Sequence, residues 1–105
     1  MDEFVMVYTT AGSDEEAETI AAALVEEKLA ACVNILGPIV SIYRWHGEVE
    51  QAREIVLLAK TRSALFEKIC EKVKSLHSYD TPCIVAYPVA AGFAPYLDWI
   101  REETA

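Results

Sequence analysis

A chain of 105 residues is long enough for one packed domain and too short for two, so residues 1–105 are read as a single unit. Its 53% hydrophobic and 25% charged residues exclude a disordered protein. The net charge of −8, from 17 acidic against 9 basic side chains, repels a phosphate backbone, and no basic stripe with interleaved aromatics offsets it, so nucleic acid is excluded as a partner.

The opening MDEFVMVYTT lacks the basic and long apolar regions of a signal peptide. No apolar run reaches the ~18–20 residues of a membrane helix. Cys32, Cys70 and Cys83 are odd in number and form no CxxC pair, which fits free thiols in a reducing compartment. The expectation is a cytoplasmic protein with no membrane partner.

FVMVYTT (4–10) is β-branched and aromatic and ends at Ala11-Gly12, which predicts a strand. Ser13 stands three residues before Glu16, the spacing of a capping box. Ala17, Ile20, Ala21, Leu24, Val25 and Leu29 then recur at helical intervals, predicting a helix over 13–31. CVNILGPIVSIYRWHGE forms a second strand region in which Gly37-Pro38 predicts a bulge or bend. AREIVLLAKT is a third strand, and Gly47 in the short connection makes the two a hairpin.

Thr61 or Ser63 is placed to cap a second helix whose apolar face is Phe66, Ile69, Cys70, Val73 and Leu76. Pro82 favours extended backbone at Thr81 and leads into a fourth strand, CIVAYPV. FAPYLDWIREET reads as a short helix with Leu97 and Ile100 facing inward. The order is β-α-β-β-α-β plus a C-terminal helix. With right-handed crossovers it gives an α+β, ferredoxin-like sandwich: an antiparallel sheet with both main helices on one face. The other face should then be wet, yet FVMVY, IVLLA and IVAY are apolar on both sides. That predicts burial against further copies of the chain.

Candidate chemistry is sparse. His77 falls at the end of the second helix, where the helix dipole favours a cation; the sharper reading makes it a metal ligand. Buried cysteines behave as small hydrophobes, and His77 with Cys83 alone makes no zinc site. Alternation places Tyr43 and Trp45 on one strand face, fit for subunit packing or for lining a pocket. Glu54 and Lys60 share a face of the third strand, where a carboxylate needs a partner: a salt bridge or a ligand. No GxSxG, HExxH, GxGxxG or P-loop pattern occurs, so the chain is read as no enzyme.

Taken together, EEKLAACVNI, SIYRWHGEVE, EIVLLAKT, HSYDTP and YLDWI resemble the CutA family of divalent-cation-tolerance proteins over nearly the whole chain. The resemblance implies a tight homotrimer engaged in metal-ion response that binds copper or another divalent cation. It also implies an intersubunit cleft with Tyr43, Trp45, Glu54 and Lys60, joined by Tyr79, Tyr96 and Trp99. Gly47, Thr61 and Pro82 accompany them, and His77 is the metal ligand carried over. Two positions depart from members credited with a copper site: Thr9 replaces a first-strand cysteine and Leu76 a second histidine. Trimers of this fold also resemble nitrogen-regulatory signalling proteins, which makes a small anionic effector, or a purely structural scaffold, the alternative readings.

Overall fold

The structure is a computed structural model, described over residues 3–105. Four strands, β1 (Phe4–Ala11), β2 (Cys32–Trp45), β3 (Glu48–Arg62) and β4 (Ile84–Pro88), form one sheet in the order β2-β3-β1-β4. Every neighbouring pair is antiparallel. Helices α1 (Asp14–Glu26) and α2 (Phe66–Leu76) cover one face, and α3 (Ala94–Glu103) follows β4. This is the expected α+β, ferredoxin-like architecture with its added helix.

The core lies between sheet and helices. Val7 and Leu57 from the sheet, Ile20 and Leu24 from α1, and Ile69 and Val73 from α2 are all fully buried. They occupy the alternate positions of β1 and β3 that point at the helices. On the opposite face α3 covers one end only. Ile100 packs with Phe4, Arg62 donates to the carbonyl and hydroxyl oxygens of Thr104, and Arg101 makes a two-pronged bond to Glu3.

Local chemistry explains the element ends. Ser13 caps α1 by accepting from the Glu16 N–H at 3.1 Å. The Glu16 carboxylate reaches the N–H of Gly12 (3.0 Å) rather than that of Ser13, so the box closes one residue early. Helix α1 stops at Glu26, short of the expected residue 31. Lys28 takes a left-handed φ of 60°, and the N–H groups of Leu29 and Ala30 both turn back to the Leu24 carbonyl. Leu29 still packs on the core, which is why its spacing reads as helical. Neither Thr61 nor Ser63 serves as the cap of α2. The Thr61 hydroxyl donates to Leu29 O at 2.6 Å, and α2 grows out of a 3-10 turn at Ser63–Leu65.

The β2–β3 hairpin closes on two residues, His46 (φ 49°) and Gly47 (φ 80°), both left-handed as the twist of such hairpins requires. A register shift between Leu36 and Ile39 is the bulge that Gly37-Pro38 predicts. A side chain at Gly37 would press on the Glu54 carbonyl at 3.2 Å. The extra residue exchanges the faces of β2 beyond it. Ser41, Tyr43 and Trp45 thereby lie on the same side as Glu54 and Glu50, and Val40 and Ile42 turn to the other side.

Candidate ligand cleft

A cleft of about 530 Å³ opens on the sheet face away from α1 and α2. β1 supplies Tyr8 and Thr10, and the bulge-shifted end of β2 supplies Tyr43 and Trp45. β3 adds Glu50 and Glu54, and the segment between α2 and β4 adds Tyr79, Asp80 and Cys83. Three carboxylates and four aromatic rings therefore surround the space, with no Lys, Arg or His among the lining side chains.

Glu54 is the buried member, 8% exposed. The Tyr79 hydroxyl donates to its Oε2 at 2.9 Å. Burial, then that hydrogen bond, and then the negative charge of Glu54 push the Tyr79 phenol up to about 12. Burial and the Glu54 charge also raise the Cys83 thiol, so Cys83 remains a protonated, weakly nucleophilic group. Burial likewise raises Tyr8.

His77 caps the C-terminus of α2, as its position predicts, yet it is no cation facing solvent. Its side chain is fully buried. Nε2 lies 2.6 Å from the Thr10 carbonyl, and Nδ1 is 3.0 Å from the Tyr79 N–H. A carbonyl can only accept and an amide N–H can only donate, so the ring carries its proton on Nε2. The Glu16 carboxylate also approaches Nδ1 at 3.9 Å, but that contact becomes an ion pair only on a protonated ring. With both nitrogens engaged in this way, the geometry gives His77 a positioning role. The ring sets Tyr79, and with it the Tyr79–Glu54 bond. Glu16 completes the lock by accepting from the Ser78 N–H at 2.8 Å. Burial pushes the Glu16 carboxyl up, but the hydrogen bonds from Gly12 and Ser78 outweigh it and hold the group below the usual range.

The remaining candidates lie elsewhere. Lys60 does not pair with Glu54, since six strand residues put ~20 Å between them. Its Nζ instead donates to Asn34 Oδ1, with Cys32 Sγ at 3.9 Å. Tyr96 and Trp99 stack on α3 with ring centres 5.6 Å apart, and neither lines the cleft. On one chain the expected set thus divides into Tyr43, Trp45, Glu54 and Tyr79 in the cleft and Lys60, Tyr96 and Trp99 outside it. Tyr8, Thr10, Glu50 and Asp80 were not anticipated. The turn at His46-Gly47 sets Glu50 opposite Tyr43, and alternation along β1 puts Tyr8 and Thr10 together.

The fit to a copper site is poor. Among the described residues no three His, Cys, Asp or Glu side chains gather closely enough to hold a metal ion. Thr9 is buried on the helix-facing side, and its hydroxyl has no hydrogen-bond partner among the described residues. Cys83 alone offers a soft donor to the cleft.

The alkaline behaviour of Tyr79 follows from its raised value. Between pH 10 and about 12 the folded chain retains a phenol proton that the unfolded chain has lost. Stability from this group is full below pH 10 and disappears as pH rises through 12. Absorbance at the phenolate band should show a late-titrating tyrosine, and Tyr79→Phe should remove it. Urea midpoints should fall less steeply over this window in the variant than in the parent.

Comparison with known proteins agrees along the chain. The family model "CutA1 divalent ion tolerance protein" matches residues 5–103. The "Divalent-cation tolerance protein CutA" of Thermus thermophilus is 55% identical over 104 residues, covering 99% of both chains. The protein of the same description from Archaeoglobus fulgidus is 52% identical, covering 91% of this chain and 93% of that one. A solved structure of the Thermus thermophilus protein superposes with a TM-score of 0.95 at 54% identity, covering 97% of this chain and 99% of that one. The chain belongs to the CutA1 family of divalent ion tolerance proteins.

Proposed function

We propose that the protein is a non-catalytic homotrimer whose part in the divalent-ion response is cation binding in the cleft around Glu54. The observation that carries this reading is the company the cleft keeps. Its only charged lining groups are the carboxylates of Glu50, Glu54 and Asp80, and it opens on the sheet face that α3 leaves largely bare, beside Leu36, Val85 and Tyr87, which are exposed on one chain. Beyond the helices the β2–β3 hairpin exposes Ile42 (68%) and Val49 (64%) as well. Apolar surface of this kind in a chain 44 Å long calls for burial by other copies, with the cleft at or near the seam.

The lining groups argue against catalysis. Tyr79 holds its proton far above neutrality, Cys83 is a thiol, and no histidine enters the space. They also argue against a small anionic effector, which three carboxylates would repel. A divalent ion taken up here would be held by carboxylate and hydroxyl oxygens while keeping part of its water shell, as a hard cation does. Calorimetric titration with magnesium, manganese, zinc and copper tests the reading. Binding that Glu54→Gln weakens is expected, with no preference for copper. Unchanged binding in Glu54→Gln, or a copper-selective site, would overturn it.

A further inference from the structure

Resting on the cation-binding reading, we propose that Glu16, a residue of α1 outside the cleft, is a positioning residue for the cation, acting through Ser78 and Tyr79 on Glu54. The first ground is how its carboxylate is divided. Oε1 accepts from the Gly12 N–H at 3.0 Å, and Oε2 accepts from the Ser78 N–H at 2.8 Å. One charged side chain thereby ties the turn before α1 to the segment that follows α2, through the stronger kind of hydrogen bond. The second ground is where that segment leads. Directly after Ser78 comes Tyr79, whose hydroxyl donates to Glu54 Oε2 at 2.9 Å.

The third ground is what lies against the phenol. Gly12, one of the two donors to Glu16, also packs against Tyr79: a Cβ there would stand 3.4 Å from the phenol oxygen and 3.6 Å from Cε1. Glu16 thus fixes both the backbone that Tyr79 packs on and the backbone that carries it. Every one of these bonds lies within a single chain, so none depends on whether other copies cover the sheet face. The carboxylate is essential to the arrangement. A glutamine has the same shape but only one accepting oxygen, and its NH2 would face the second N–H. A donor behind a ligating carboxylate ordinarily governs metal affinity by about 10–100-fold. Glu16 stands one step behind that donor, and an effect of about fivefold follows, the scale of one hydrogen bond.

Two measurements on the full-length protein decide it: NMR of the tyrosine ring carbons without metal, and calorimetric titration with magnesium chloride. The Tyr79 ring signal is assigned as the one missing from Tyr79→Phe. Glu16→Gln should move that signal and weaken magnesium binding about fivefold. Glu18→Gln, an equal change of charge on exposed α1 surface, should do neither. In the Tyr79→Phe background Glu16→Gln should add little further loss, because its route to Glu54 is already cut. Ser78 is exposed and its hydroxyl also bonds the Glu16 carboxylate, so Ser78→Ala should move the ring signal the same way even where Glu16→Gln fails to fold. An unmoved Tyr79 signal in Glu16→Gln would overturn the inference. So would equal losses of affinity with and without the Tyr79 hydroxyl. A parent protein that binds no magnesium would overturn the cation reading, while the ring signal still confirms or refutes the route from Glu16 to Tyr79.

Discussion

Replacing His77 by alanine should lower stability by about 2–4 kcal/mol, the combined scale of a cavity and of buried polar groups left without partners. The ring is fully buried, and it engages the Thr10 carbonyl with Nε2 and the Tyr79 amide with Nδ1. Removing it also frees Tyr79, whose hydroxyl is the only hydrogen-bond donor to Glu54 among the described residues. Urea unfolding at one fixed protein concentration measures the loss, since the midpoint depends on concentration wherever folding is coupled to association. A metal-ligand role makes the opposite forecast: near-normal stability in the absence of metal and a lost metal isotherm. An unchanged midpoint would refute the positioning role.

Leu57→Ala should cost about 2–5 kcal/mol, the usual range for a fully buried leucine whose site cannot collapse. Leu57 lies at the centre of the sheet, opposite Thr9 on β1 and Ile35 on β2, with none of its surface exposed. The helices pressed on it from α1 and α2 are tied at their ends by Ser13, His77 and Glu16, so little relaxation is available. The same urea series reads the effect as a lower midpoint with an unchanged slope. A shift under about 1 kcal/mol would place the core elsewhere.

Alternation and punctuation made the fold legible. β1, β2 and β4 are dense in β-branched or aromatic residues, and Gly12, Gly37 and Gly47 stand where the chain turns, bulges or doubles back. Two features were hidden for physical reasons. The end of α1 depends on Lys28 entering the left-handed region, a conformation that glycine usually supplies and lysine does not announce. The Thr61 hydroxyl looks like a helix cap in sequence, yet Leu29, 32 positions earlier, claims it through tertiary contact.

The site was half legible. Tyr43, Trp45, Glu54 and Tyr79 converge because the bulge turns β2 over and the His77 ring pins the segment after α2. Lys60 shares a face with Glu54, as parity along a strand demands, but parity carries no distance along the strand. What His77 does could not be read from its position at a helix end. Its doubly bonded position depends on a carbonyl 67 residues away in sequence.

The self-association of the chain bears most directly on the account, because the proposed function has other copies of the chain covering the apolar hairpin and the open sheet face. Light scattering on the purified protein, coupled to size-exclusion chromatography, gives the mass without reference to shape. The account predicts a single species at three times the 11.7 kDa chain mass that persists on dilution to the micromolar range. A species at the mass of one chain, with Ile42 and Val49 left to water, would contradict it.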